Sequence, residues 1–256
     1  MIFTTAGRPT ENSIQEAMRL AQLYNGTYIS RQKRSIQQLL EVGKKPVIVT
    51  GIDRLYLYTD SSIEPVFFHP NSAMFRCKSL LNGHHDAFID VSGLTEGMCM
   101  LDCTAGLGSD SIVASFVTGV NGGVEAVEGS KHAILLQEGL KTWESHNELI
   151  NAAMRRVSIK RKRFEEVLPY LPDNSVDIVY FDPMFEDAIP DSHGVSVIKQ
   201  VALYDSLTEE MINEAKRVAR KRVLLKDFWK SSRFDRHGFV QQKRKTAKFH
   251  YGTFEC

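Results

Sequence analysis

Long hydrophobic runs are missing from this 256-residue chain. No window approaches the roughly 20 apolar residues that cross a bilayer. The opening MIFTTAGRPTENS has no basic segment followed by an apolar stretch. A soluble cytoplasmic protein with no membrane partner is the expectation. Cysteine is sparse too. Cys77, Cys99, Cys103 and Cys256 share no CxxC spacing, so neither a disulfide framework nor a four-ligand zinc site is laid out. The pair His84-His85, followed by Asp86, is the nearest thing to a metal cluster. Adjacent histidines in an extended segment point apart, and no metal is expected. An excess of one charge is also lacking: 32 Lys and Arg against 31 Asp and Glu leave +1. Bulk charge therefore selects no partner, and only local clustering can. There is no internal repeat and no low-complexity tract.

The chain does have two different rhythms. Residues 12–24 carry apolar groups at helical spacing, with Asn12 or Ser13 as a candidate cap. A turn into a short strand follows at NGTYISR, then a helix at SIQQLLEVG, then β-rich PVIVTG, RLYLYTD and EPVFFHP. This reads as a small mixed α/β domain over residues 1–70, with a short helix expected over residues 71–84. From about residue 85, strands and helices alternate: MCMLDC, SDSIVASFVTG, GGVEAVEG, SKHAILLQEGLKTWES, RRVSIKRKR, FEEVLPYLPDNS, VDIVYFD, LTEEMINEAKRVA and KRVLLKDF. Alternation with crossover-length helices predicts a parallel sheet covered on both faces. Residues after 235 are candidates for terminal antiparallel strands. The fold class is thus α/β, with residues 71–256 as the main domain.

LDCTAGLGSD (101–110) follows its strand and opens a helix. Gly106 and Gly108 allow a tight turn and close approach to a ligand. The loop lacks the full GxGxxG of dinucleotide enzymes and the GK[ST] of a phosphate-cradling loop. Asp102, at the end of the strand, is suited to a cationic or donor-rich ligand and poorly suited to a pyrophosphate. Glu128, after the next strand, is placed to accept both hydroxyls of a ribose. An amino-acid head, a ribose and an adenine without phosphates make S-adenosylmethionine. The bland reading is a tight strand–helix turn with incidental acids. For the adenine, Phe164 as a stacking ring, Glu165 as a hydrogen-bond partner and Phe164 as plain core stay open.

In DIVYFDPMFED (177–187), Asp182 falls at the carboxyl end of a strand, and Pro183 stops that strand by removing a donor and fixing its backbone. Carbonyls of such a turn and the Asp182 carboxylate can accept hydrogen bonds from an exocyclic amine, while Phe185 stacks on the base carrying it. Acceptors there polarise a weakly nucleophilic amine as positive charge develops. A strand followed by a Pro-directed turn is the plain alternative.

With LDCTAGLGSD, VEAVEGS and VYFDPMF in hand, the chain resembles a class I SAM-dependent methyltransferase. Within that superfamily it is similar to the RsmJ-type enzymes, which methylate the exocyclic amine of a guanosine in small-subunit ribosomal RNA. FFHPNSAMFRCKSLLNGHHDAFIDVSGL and RVLLKDF carry the likeness further, over residues 66–230. It implies a Rossmann-like sheet. It assigns Asp102, Thr104, Ala105, Gly106, Gly108, Asp110 and Glu128 to the cofactor, and Asp182, Pro183 and Phe185 to the catalytic turn. Three departures stand out: Cys103 for alanine, Glu186 for a proline, and KDFWKS for a lysine–arginine–proline continuation.

On the substrate side, Arg155, Arg156, Lys160, Arg161, Lys162 and Arg163 are candidates for RNA phosphates or for a solvated edge. Lys226, at the end of RVLLK, is a better placed phosphate or base contact. Arg76 and Lys78 are candidates to close over the cofactor or guide a target nucleotide. RNA, with small-subunit ribosomal RNA first, is the expected partner. The competing classes are a methyltransferase acting on a small molecule or protein, and a non-catalytic RNA-binding protein on this fold.

Overall fold

The computed structural model describes residues 1–60, 64–183 and 207–256. The chain divides into two compact units at His69 and Pro70.

The first unit is built on a four-stranded sheet in the order β2-β1-β3-β4. Its strands are β1 (Ile2–Thr5), β2 (Thr27–Tyr28), β3 (Val47–Thr50) and β4 (Leu55–Tyr58). β1, β2 and β3 are parallel, and β4 is antiparallel to β3. Helix α1 (Glu11–Leu23) starts at Thr10, whose hydroxyl accepts the Ser13 N–H. The true cap thus lies ahead of both expected ones, because Thr10 and Ser13 reciprocate hydrogen bonds. Helix α2 (Ile36–Gly43) is capped the same way by Ser35 and Gln38. Every residue of β1 and β3 is buried. Alternation sends Ile2, Val47 and Val49 to a cluster with Leu39 of α2. On the other face the ring of Phe3 stacks on Tyr24 at the end of α1. The expected strand at EPVFFHP reduces to one bridge, between Leu57 and Val66.

The second unit carries a seven-stranded sheet in the order β10-β11-β9-β8-β5-β6-β7. Its strands are β5 (Cys99–Asp102), β6 (Gly123–Val127), β7 (Val157–Lys160), β8 (Val176–Phe181), β9 (Ala219–Phe228), β10 (Val240–Gln242) and β11 (Phe249–Glu255). Strands β5 to β9 are parallel, and β11 runs antiparallel between β9 and β10. This is the Rossmann-like α/β sheet the alternation predicts. The helices described in this unit include α3 (Asn71–Leu81), α4 (Ala87–Ser92), α5 (Ser109–Thr118), α6 (Ala133–Thr142), α7 (Glu148–Arg156) and α8 (Glu209–Val218). One sheet face packs Leu101, Val179, Phe181, Val223 and Leu225 against Ile212 and Ala215 of α8.

The register decides what the other face holds. Asp102 pairs with Tyr180, Tyr180 with Leu224, and Lys226 with Tyr251. One step beyond the Phe181–Leu225 pair, Asp182 falls opposite Lys226. Side chains two apart on a strand share a face, so Asp102, Tyr180, Asp182, Lys226 and Tyr251 belong to one surface. RRVSIKRKR is not all strand: Arg155 and Arg156 close α7, and β7 begins at Val157. Asn147 caps that helix through the amides of Leu149 and Ile150, an asparagine signal the strand reading passed over.

Candidate active site

Consecutive connections leave β5 in opposite directions, to β6 on one side and β8 on the other. In open α/β sheets this reversal opens a crevice at the carboxyl ends of the two strands. Asp102 ends β5, and Asp182 directly follows β8.

The glycine loop spans this point. Gly106 and Gly108 have φ of +56° and +79°, backbone that side chains disfavour. A Cβ on Gly108 would also meet Leu136 Cδ1 at 2.6 Å. Asp102 is 1% exposed and fastens the loop from beneath. It accepts the Thr104 N–H at 3.1 Å and the Ser111 hydroxyl. Sequence reasoning assigned it to the ligand; here both oxygens are engaged by the protein. Burial pushes its pKa up to about 7 against the hydrogen bond from Ser111.

Glu128 sits where a ribose acid is expected. It accepts the Gly106 N–H at 2.9 Å through Oε2 and the Ser130 N–H at 2.7 Å through Oε1. His132 Nε2 lies 3.3 Å from Oε2. Burial opposes ionisation, but His132 and Ser130 outweigh it and hold Glu128 below its ordinary pKa. A carboxylate has about four acceptor sites; with Gly106 and His132 at Oε2, Oε1 is the oxygen that keeps one for a ribose hydroxyl.

Beside the loop lies a chain of part-buried charges around the buried Asp110. Arg76 on α3 forks onto Asp86, at 2.7 and 2.9 Å, and reaches Asp110 with its other nitrogen. Asp110 also accepts from the Tyr180 hydroxyl at 2.8 Å and from Lys226 at 3.3 Å. Lys226 continues to Asp182 Oδ2 at 2.6 Å. The Asp182 N–H donates to Thr104 Oγ1 at 2.6 Å, tying the proline turn to the glycine loop. Burial works against the Asp110 charge, but Lys226 and Arg76 overcome it and hold its pKa far down. Asp182 goes the other way: burial raises it, Lys226 opposes, and the Asp110 carboxylate adds to the rise. Lys226 is held protonated by the two carboxylates despite burial.

The expected residues thus separate. Asp102, Thr104, Ala105, Gly106, Gly108, Asp110 and Glu128 surround one crevice with Asp182 and Pro183. Arg76 and Lys226 join them as part-buried partners of carboxylates, so the Lys226 ammonium read as a phosphate or base contact is taken up by Asp110 and Asp182. Lys78 is exposed on α3, two residues from the inward Arg76, and is not brought to the cluster. Phe164 is 2% exposed and packs edge-on against Phe181 at 5.5 Å; it is core, and its ring has almost no surface for an adenine. Phe185, with Met184 and Glu186, lies outside the described residues.

Tyr180 and Asp86 were missed. Tyr180 had a signal, a phenol two residues before Asp182 on the same face of the strand. Asp86 had the signal of a helix cap, and it does accept the Phe88 and Ile89 amides. The basic run 155–163 is largely spent inside the fold. Arg155 bonds Glu144 and the Trp143 carbonyl, Arg156 the Ser115 carbonyl, Lys160 Glu125, and Arg163 Glu165.

Asp86, Asp102, Asp110 and Asp182 outnumber Arg76 and Lys226, so carboxylates are in excess even with Asp102 near its midpoint at neutral pH. Such a site favours a cation such as a sulfonium over a phosphate. Among the described residues, no three His, Cys, Asp or Glu side chains are grouped to hold a metal ion, and no helix is long and apolar enough to cross a membrane.

A family model described as "Putative SAM-dependent methyltransferase" matches residues 34–250. The chain belongs to this family. Its cofactor is S-adenosylmethionine, and its activity is methyl transfer. The chain is 44% identical over 255 residues to "Uncharacterized protein YpiP" of Bacillus subtilis, covering 99% of each. It is 30% identical over 153 residues to the ribosomal RNA small subunit methyltransferase J of Acinetobacter baumannii, and 26% over 134 residues to that of Buchnera aphidicola. The chain spans about half the length of these two methyltransferases, 52% and 51%. Among solved structures, a SAM-dependent methyltransferase from Neisseria gonorrhoeae shares the fold, with a TM-score of 0.62 at 18% identity, covering 100% of this chain and 96% of that one.

Proposed function

We propose that this methyltransferase acts on an exocyclic base amine, the N2 of a guanosine in small-subunit ribosomal RNA, and that it works in the cytoplasm. The observation that carries the reading is the state of Asp182. One oxygen is held by Lys226, and the backbone is fixed by Thr104. The side chain keeps 26% exposure at the switch point, and among the described residues its other oxygen takes no hydrogen bond. A carboxylate so fixed is an acceptor waiting for a donor, and an exocyclic amine is a donor with two hydrogens. The half-length likeness to ribosomal RNA methyltransferases supports the choice of amine.

When bound, the cofactor supplies an electrophilic methyl and a neutral thioether leaving group. The protein's part is alignment and charge. Glu128 would hold the cofactor's ribose end, and Asp182 would orient the amine so that its lone pair meets the methyl carbon. The amine's lone pair would form the new carbon–nitrogen bond, and the cofactor would supply the methyl, its sulfur keeping the pair of the carbon–sulfur bond. The nitrogen becomes cationic, and Asp182 both stabilises it and accepts its proton. A carboxylate raised above its usual pKa is the better acceptor for that step. We assign residues 71–256 to this chemistry and residues 1–70 to holding the substrate.

Incubation of labelled S-adenosylmethionine with unmodified small ribosomal subunits and with free RNA, followed by nucleoside analysis, tests this directly. Label is expected in N2-methylguanosine, with Asp182→Ala lowering the rate about 10²–10³-fold, as for loss of one transition-state contact. Label appearing only in protein or small molecules would remove RNA as the substrate.

A further inference from the structure

The small unit has a strand reversal of its own. β1 leads through α1 to β2 on one side, and β2 leads through α2 back past β1 to β3. The carboxyl ends of β1 and β3 therefore border a switch point, the place where open parallel sheets receive ligands. Three loops leave the sheet at this edge: residues 6–10, 29–35 and 51–54. The first two are stitched to the sheet by Ala6 N–H to the Thr50 carbonyl at 3.2 Å and Ile29 N–H to the Phe3 carbonyl at 2.9 Å.

These loops carry Arg8, Arg31, Lys33, Arg34 and Arg54 against one acid, Asp53. The acid is already taken: Arg54 bonds Asp53 at 2.6 Å. Arg31 is set back, with burial lowering its pKa. Arg8 and Lys33 are exposed and have no partner among the described residues. Among the described residues Arg34 bonds the Ser30 carbonyl and the Gln32 side chain, both at 3.2 Å, and meets no carboxylate. Gln32 and Lys33 both have left-handed backbone, φ of 42° and 61°. That conformation is costly for side-chain-bearing residues and presents Lys33 in a fixed way. Glu11, at the first position of α1, puts a negative charge on the first turn of that helix.

Aromatic rings adjoin the cations. Arg54 lies 5.1 Å from the centre of the Phe67 ring. Phe67 in turn contacts Tyr56 at 5.7 Å and the exposed His69 at 5.3 Å. Arg54, paired with Asp53, lies against the rings, while Arg8, Lys33 and Arg34 stand on loops of the same sheet edge. Cations and rings on one edge are the chemistry of single-stranded nucleic acid binding: charge tracks the phosphates, and rings take the bases. In the large unit, by contrast, Arg155, Arg156, Lys160 and Arg163 are occupied by the fold.

We propose that the carboxyl edge of the small sheet is a binding site for single-stranded RNA, with Arg8, Lys33 and Arg34 on the phosphates and the Arg54–Phe67–His69 ladder beside them. The proposal rests on the RNA reading of the active site and adds a second point of attachment to it.

The test uses the full chain and an unmodified small-subunit ribosomal RNA transcript, with affinity measured across a salt series. Each phosphate contact to a single strand contributes about 0.7 to the slope of log affinity against log salt. Removing three cations in the combined variant Arg8→Ala, Lys33→Ala, Arg34→Ala should flatten the slope by about 2. Binding of S-adenosylmethionine should stay as in the parent, which also reports that the variant folds. The charge-keeping variant Arg8→Lys, Arg34→Lys should retain the parent slope. RNA that is methylated and bound with an unchanged slope in the triple variant would overturn this site and leave the active-site reading standing. A parent protein that neither binds the transcript in a salt-dependent way nor methylates it would remove both.

Discussion

The two sheets solve the same topological problem with opposite charge. Each reverses its strand order beside its first strand, and each gathers loops at the carboxyl edge of that reversal. In the large sheet the crevice is lined with carboxylates, and its cations, Arg76 and Lys226, are consumed in holding them. In the small sheet the edge is lined with cations, and its one loop acid is consumed by Arg54. A switch point supplies a concave place and free loop ends; the sign of the side chains decides what enters. A cationic cofactor suits the first and a polyanion the second.

The comparison breaks most severely at Lys226, because its ammonium is what lets two carboxylates coexist. Replacing it by methionine leaves Asp182 without a counter-ion beside Asp110, which keeps Arg76. Breaking a buried pair from one side costs about 3–5 kcal/mol, readable in urea unfolding. Asp182 would also bind its proton more tightly and lose its role as acceptor. The pH–rate profile of Lys226→Met should therefore move to higher pH, with part of the lost rate returning as pH rises. A stability loss with an unmoved profile would make Lys226 a packing residue only.

How much of this was legible follows from the physics of each signal. The parallel sheet was readable because alternation of strands and crossover helices is a periodic signal. Asp182 was readable because a carboxylate and a proline closing an apolar strand violate that pattern. The partnership of Asp182 with Lys226 was not. It depends on β8 and β9 lying side by side with Phe181 opposite Leu225, a register fixed only by the assembled sheet. Arg155 and Arg156 misled because they are the last turn of a helix whose preceding residues carry a weak apolar pattern. Phe164 misled because a buried ring and a stacking ring look the same in a sequence.

A smaller effect sharpens the contrast by pH. Asp102 is pushed up to about 7 by burial, against about 3.9 in an unfolded chain. It therefore holds its proton more tightly when folded. The stability this contributes is complete below about pH 4 and is lost as pH rises toward 7. Glu128, Asp86 and Asp110 are depressed, so their contributions are present at neutral pH and lost as pH falls through their folded values. Asp102→Asn removes the first dependence alone. The variant-minus-parent difference in melting temperature should climb between about pH 4 and 7 and flatten above it. A difference independent of pH would mean that Asp102 is charged throughout.

The mildest change touches the cofactor side alone. Glu128 accepts amides at Gly106 and Ser130 with two different oxygens. Glu128→Gln keeps one acceptor and turns the other into a donor, so one of those amides must face an N–H. The loop loses a hydrogen bond of about 1.5 kcal/mol, the lower end of the range for charged acceptors, and the ribose faces a weaker acceptor. Affinity for S-adenosylmethionine should fall about tenfold, while the salt slope for RNA should stay as in the parent. That is the mirror image of the Arg8, Lys33, Arg34 variant, which should weaken RNA and spare the cofactor. If removing the single charge at Glu128 weakened RNA as much as it weakened the cofactor, the two edges would be one continuous site, and the division of labour between carboxylates and cations would not hold.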